Sequence, residues 1–173
     1  MPLMSRRELI GVGIFSGLCG TTTLAGAADA APAPVVGSWT YRSFINNPDP
    51  NVSFDKLQFA VAQLTIDAAD FGTLSGRLAF GADFLKLTGT ITYGNPFTLR
   101  FQGVGATSGT IENGHPWIYD YLGFLAPAWP NGVDQRPAIV GTIVRTVPHS
   151  SGQDPNGAKA GYVASWIAVR TDK

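Results

Sequence analysis

The chain has 173 residues, of which 45% are hydrophobic and 14% are charged, so it is long and apolar enough to form one globular domain. Twelve Lys and Arg residues balance twelve Asp and Glu residues, and the formal net charge at pH 7 is +0. Beyond the N-terminus no segment concentrates positive charge, which argues against nucleic acid as a partner because phosphate backbones bind clustered Lys and Arg.

Residues 1–30 have the composition of an export signal. Arg-Arg-Glu at residues 6–8 precedes an apolar, Gly-rich run over residues 10–27, and Ala-Asp-Ala at 28–30 forms an A-x-A cleavage site. The paired arginines resemble the bacterial twin-arginine signal, and an ordinary secretory signal is the alternative. The apolar run falls short of the ~20 strongly apolar residues that span a membrane. We expect a periplasmic or secreted protein, with a linker over 31–36, a single domain over 37–173 and no membrane association after cleavage.

The only cysteine, Cys19, lies inside this apolar run. Leu18 precedes it, where a lipoprotein cleavage site requires a small residue, and this departure argues against lipidation of Cys19. The predicted mature domain therefore has no cysteine, which excludes a disulfide, a thiolate nucleophile and Cys-ligated zinc.

From residue 31 onward, short alternating segments are separated by Gly, Pro, Asn and Asp, and no stretch keeps a helical period. We predict eight strands near residues 37–44, 57–66, 73–80, 84–93, 97–104, 117–125, 138–147 and 162–170. The segment 54–63 is the least certain, because a short helix face also fits the spacing of Phe54, Leu57, Val61 and Leu64. The turn sequences favour up-and-down neighbours, and eight such antiparallel strands can close into a barrel. Glycines inside five of these strands, at positions 76, 89, 103, 123 and 141, are interpreted as bulges or bends that coil a closed barrel.

Several short motifs suggest a family. Gly-Ser-Trp at 37–39 opens the first strand, Leu-Ser-Gly at 74–76 and Leu-Thr-Gly at 87–89 recur in the next hairpins, and Arg170 closes the last strand. In this spacing the chain resembles the calycin barrels, and the avidin/streptavidin-like proteins most of all. The resemblance implies that Trp39 packs at one end of the barrel under Arg170. It does not extend to biotin chemistry, because the positions of the biotin-binding side chains hold Tyr41, Ser43, Leu78, Phe80 and Tyr121.

With Trp39 facing inward, the two-residue period of a strand assigns the other side chains to faces. The predicted interior is apolar and aromatic, with Tyr41, Leu74, Leu78, Phe80, Leu87, Ile91, Phe97, Leu99, Phe101, Trp117, Tyr119, Tyr121, Ile143 and Trp166. The last three strands are also apolar on their outer face, with Ile118, Leu122, Phe124, Val140, Val144, Val163, Ile167 and Val169. We expect a homo-oligomer through these strands, and a covering helix or terminal segment is the alternative.

Catalytic and metal-binding patterns are weak. His115 and His149 lie in separate predicted loops without the spacing of a metal pair, and we expect both at the surface. Ser150 and Ser151 follow His149, but adjacent loop residues do not form a nucleophile–base pair. We therefore predict no catalytic residue, no metal and no cofactor.

Charged residues among apolar neighbours are usually paired, so Asp120 is expected to form an ion pair with Arg145 or Arg136. The alternative places Arg145 at the barrel mouth, where its guanidinium binds a ligand carboxylate and Trp129 acts as a lid. On that alternative the candidate ligand-binding residues are Tyr41, Trp117, Tyr119, Tyr121, Trp129, Arg145 and Trp166.

Three functions are compatible with these patterns. The first is an exported barrel that binds a small apolar or aromatic molecule. The second is a small barrel enzyme of the cyclase or isomerase type, and the third is a structural or interaction module with a filled barrel. An interior cavity would favour the first two, whereas large aromatic residues that fill the whole barrel would leave only the third.

Overall fold

The computed structural model describes residues 33–68, 72–151 and 154–171, all within one compact unit, Pro32–Lys173. The predicted export signal over residues 1–30 lies outside the described residues. Within the described ranges, no helix is long and apolar enough to cross a membrane.

Eight antiparallel strands form a closed barrel, which confirms the predicted all-β, up-and-down fold. The barrel strands are β1 (Gly37–Ile45), β2 (Gln58–Ala68), β3 (Thr73–Phe80), β4 (Asp83–Thr92), β5 (Thr98–Gly105), β8 (Ile118–Leu125), β9 (Ala138–Arg145) and β12 (Val163–Arg170). Their order around the barrel is β1-β12-β9-β8-β5-β4-β3-β2. Two short ribbons lie in the connections, one of β6 (Ile111–Glu112) with β7 (His115–Pro116), the other of β10 (His149–Ser151) with β11 (Asp154–Ala158).

The uncertain segment before β2 contains both of the structures considered for it. A single helical turn, α1 (Phe54–Leu57), buries none of its residues, and the strand begins directly after it at Gln58. A four-residue helix is too short to present an apolar face. The alternation of inward and outward side chains therefore begins where the chain joins the barrel.

The barrel has two different ends. At the end where β1 begins, called here the Trp39 end, the Arg170 guanidinium lies 4.6 Å from the centroid of the Trp39 ring. Arg170 also donates hydrogen bonds to the carbonyls of Pro34 and Val36, and the Trp39 indole donates to Val35. The roles that the family resemblance implied for Trp39 and Arg170 are confirmed, and the barrel is compatible with a calycin-like fold. The opposite end, which holds both ribbons, is called the ribbon end.

The middle of the barrel is filled by aromatic side chains. Phe101 stacks on Tyr121 at 4.6 Å between ring centroids, and Tyr41 stacks on Trp166 at 5.6 Å. Every residue predicted for the interior is buried or half-buried. The period of two therefore assigned the inward face correctly.

Four of the five strand glycines do not mark bulges. The register of the strand pairs that carry Gly89, Gly103, Gly123 and Gly141 is unbroken, and only Gly76 lies beside a register shift. A Cβ atom on Gly123 would lie 2.5 Å from the Trp166 ring, and one on Gly141 would lie 2.0 Å from a backbone oxygen of β8. Gly123 and Gly141 therefore make room for the close approach of neighbouring atoms.

The outer surface of β8, β9 and β12 is apolar, as predicted. Leu122 and Phe124 on β8 and Val163 on β12 are exposed, while Val140 and Ile167 beside them are half-buried. We call these five residues the outer apolar face. Whether a second copy of the chain covers it stays a prediction.

Candidate ligand-binding site

A cavity of about 190 Å³ lies inside the barrel at the ribbon end. Its lining consists of Tyr41, Ser43, Phe59, Ala60, Leu78, Phe80, Leu85, Trp117, Tyr119, Tyr121, Ile143, Arg145 and His149. The residues from β2, β3 and β4 are all apolar, whereas the polar lining side chains come from β1, β8, β9, β10 and the residue before β8. At roughly 30 Å³ per water molecule, the volume equals about six waters, so the cavity suits a compact molecule.

Arg145, the last residue of β9, is a buried cation in this cavity. Only 5% of its surface is exposed, and its Nε donates to Tyr119 Oη at 3.3 Å while Nη1 donates to the Lys159 carbonyl at 3.3 Å. Its Cζ atom also lies 5.5–5.7 Å from the ring centroids of Phe59, Tyr119 and Tyr162. None of the carboxylates whose side chains are described forms an ion pair with it. A buried guanidinium without an acidic partner is costly, and it is therefore suited to receive an anionic group.

The predicted ion pair between Asp120 and an arginine is wrong. Asp120 follows Tyr119 on β8 and therefore faces outward, where it accepts a hydrogen bond from Gln102 Nε2 at 2.9 Å. Arg145 pairs in register with Tyr119 and faces inward. Arg136 is exposed in the connection between β8 and β9, at the Trp39 end. The three charges thus occupy different surfaces of the barrel.

A chain of hydrogen bonds extends from Arg145 across the cavity wall. Tyr119 Oη lies 2.6 Å from His149 Nε2, and His149 Nδ1 lies 3.0 Å from the Ser150 carbonyl oxygen. Because that carbonyl can only accept, we assign the proton to Nδ1, so Nε2 accepts the Tyr119 phenol proton. The His149 ring also stacks on Trp117 at 4.0 Å between centroids.

Burial sets the protonation of this pair. It raises the pKa of Tyr119, which Arg145 partly opposes. It also lowers the pKa of His149; the Ser150 carbonyl opposes this change, and the nearby Arg145 charge adds to it. At neutral pH the phenol therefore keeps its proton and the imidazole is mainly uncharged.

His149 is not the surface-loop residue that the sequence suggested, because only 8% of it is exposed. It lies on β10. A hydrogen bond of 2.5 Å from the Ser150 amide to Glu112 Oε2 on β6 connects this strand to the other ribbon. His115, in contrast, is exposed, as predicted. Across the described part of the chain, no three metal-ligating side chains cluster closely enough to hold an ion.

The predicted site residues divide into three groups. Five of them line the cavity, namely Tyr41, Trp117, Tyr119, Tyr121 and Arg145. Trp166 lies in the aromatic cluster, where its Nε1 donates to the Thr142 carbonyl at 3.0 Å. Trp129 is 75% exposed in the connection between β8 and β9 at the Trp39 end, so it cannot be a lid over this cavity.

Sequence reasoning missed three lining residues that matter chemically: Ser43, Phe59 and His149. Ser43 follows the inward Tyr41 by two residues, so the strand period itself indicated its position. Phe59 was not assigned to the interior, because the sequence left open whether its segment begins as a helix or as a strand. His149 carried no local signal, because its burial depends on pairing of the two short strands of a ribbon.

Comparisons of the chain with protein-family models, with curated proteins and with solved structures give no match.

Proposed function

We propose that this chain is an exported protein that binds a small, largely apolar carboxylic acid in the ribbon-end cavity. Burial of the Arg145 guanidinium without a described acidic partner is the observation on which the proposal depends. Export rests on the residue pattern of positions 1–30 alone.

The cavity provides both parts of such a site. A carboxylate can accept two parallel hydrogen bonds from a guanidinium, and hydrogen bonds to charged groups contribute about 1.5–3 kcal/mol. The aromatic and aliphatic side chains of β2, β3 and β4 would cover the apolar body of the ligand. Because the aromatic cluster fills the middle of the barrel, the ligand would occupy the ribbon end only.

Isothermal titration calorimetry of the purified protein with benzoate tests this proposal, with benzamide as the uncharged counterpart. We expect benzoate to bind at least about tenfold more tightly than benzamide, since the amide lacks the charge-assisted contact. Arg145→Met should abolish that preference. Arg42→Met removes an exposed arginine on β1 and should leave it unchanged. Failure of benzoate to bind, or equal binding of both probes, would refute the proposal.

A second candidate function is a small barrel enzyme of the isomerase type. The 2.6 Å contact between the Tyr119 phenol and the His149 imidazole favours it, because a neutral acid and a neutral base adjoin one cavity. Phenylpyruvate in deuterium oxide is a suitable probe, since base catalysis at its C3 position replaces hydrogen by deuterium. Acceleration of the exchange by the protein, abolished by His149→Gln, would support catalysis. An exchange rate that the protein does not change would refute catalysis and leave ligand binding as the only proposed function of the cavity.

We also propose that a second copy of the chain covers the outer apolar face. Arg100 and Asp120 are exposed at its margin on neighbouring strands. A face that carries one charge of each sign beside apolar residues is complementary to itself when two copies meet about a two-fold axis.

A further inference from the structure

Three polar groups in the cavity lining are buried and have no hydrogen-bond partner among the described residues. They are the Tyr41 and Ser43 hydroxyls and the Trp117 indole N–H. Tyr41 is 1% exposed and Ser43 is 0% exposed. A buried polar group without a partner costs roughly 1–3 kcal/mol, and proteins rarely retain several in one place without a use.

These groups are held firmly in position. The Tyr41 ring stacks on Trp166 and meets the edge of Tyr121 at 6.4 Å between centroids. Trp117 is fixed by its stacking on His149. Their hydrogen-bonding atoms are therefore preorganised, and no side-chain ordering would be needed when a partner arrives.

The three groups favour oxygen acceptors. An indole N–H can only donate, while each hydroxyl donates one hydrogen bond and accepts up to two. Burial raises the pKa of Tyr41, so the phenol stays a donor at neutral pH. Even when Tyr41 and Ser43 bond to each other, the pair keeps one free donor.

Their position separates them from Arg145. Tyr41 and Ser43 lie on β1 and Arg145 lies on β9, with β12 between the two strands. Trp117 directly precedes β8, on the other side of β9. A ligand held by its carboxylate at Arg145 would thus meet further donors on either side.

We infer that the ligand is a hydroxy- or oxo-substituted carboxylic acid, whose second oxygen binds the Tyr41 and Ser43 hydroxyls or the Trp117 indole. The inference rests on the proposed function and adds the chemical class of the ligand. The expected ligand keeps an apolar body and gains a second oxygen in addition to its carboxylate.

Benzoate and its three monohydroxy isomers test this class by calorimetry at pH 7.5. We expect one isomer to bind about tenfold more tightly than benzoate, as a well-placed hydrogen bond allows. That advantage should disappear either in the double variant Tyr41→Phe, Ser43→Ala or in Trp117→Phe, while benzoate affinity is retained. Tyr93→Phe, which changes an exposed tyrosine beyond β4 at the Trp39 end, should preserve the advantage.

Retained benzoate binding also shows that each variant is folded. Equal binding of benzoate and all three isomers would overturn the inference and leave the proposed function intact. An advantage that persists in both the double variant and Trp117→Phe would overturn it too. If none of the four acids binds, the proposed function fails and the inference fails with it.

Discussion

Replacing Arg145 by Met should abolish the preference for a charged ligand without unfolding the protein. The lost contacts are two long hydrogen bonds of 3.3 Å, at the weak end of the roughly 1.5–3 kcal/mol that a charged donor contributes, and ring contacts at 5.5–5.7 Å, close to the limit of the cation–π interaction. Against this loss, Met does not carry the desolvation penalty of a buried ion, which is several kcal/mol. We therefore expect the free energy of unfolding to stay within about 1 kcal/mol of the wild-type value, or to rise.

Urea denaturation followed by circular dichroism measures this difference, and Arg170→Met is the matched comparison. Arg170 donates to two backbone carbonyls and covers Trp39, so its loss should lower the free energy of unfolding by about 2 kcal/mol. The two substitutions have the same chemistry at opposite ends of one barrel. If Arg145→Met destabilises the protein as much as Arg170→Met, Arg145 is a structural residue and the proposed anchor is wrong.

Three further outcomes are expected. The pKa of His149 is lowered on folding, so the unfolded chain binds more protons below about pH 6.5. The free energy of unfolding should therefore decrease as the pH is lowered from 7.5 to 5.5, measured by urea titration. His149→Gln should reduce this pH dependence. An unchanged pH dependence in the variant would contradict burial of the neutral imidazole. Gly123→Ala places a methyl group against the Trp166 ring and should lower the free energy of unfolding by about 1–3 kcal/mol, measured by thermal denaturation. Gly94→Ala is the control, because its Cβ meets nothing nearer than 3.7 Å. Equal destabilisation by the two substitutions would refute the packing argument. Leu122→Asp on the outer apolar face should convert the oligomer to a monomer, measured by light scattering, whereas Val61→Asp on the exposed surface of β2 should not. A monomeric wild-type protein would rule out the oligomer.

Much of the fold could be predicted because strand alternation is a local property. The inward positions of Tyr41, Leu87 and Ile143 follow from the alternation within each of their strands. Turn residues between the strands made antiparallel neighbours the natural connection, and eight such strands close. The strand glycines were recognised as unusual, but the close packing at Gly123 and Gly141 was not, because it depends on atoms of the neighbouring strand.

The candidate site could be predicted only in part. Tyr119 and Arg145 were chosen because their types suit ligand binding, yet the expected ion pair of Asp120 ignored the alternation that sends it outward. Trp129 was chosen from its loop composition, which does not say at which end of the barrel that loop lies.

The amino-acid sequence by itself determined the all-β class and the inward and outward faces, since both depend on spacing along strands. The contact of Trp39 with Arg170 was implied by the resemblance to the avidin/streptavidin-like proteins. Export remains a prediction from residues 1–30. Only the tertiary structure decided that Arg145 is buried without a described acidic partner, that His149 lines the same cavity and that Tyr41 and Ser43 face it unpaired. Barrel closure and ribbon pairing bring together residues more than 100 positions apart, and local patterns contain no information about which of them meet.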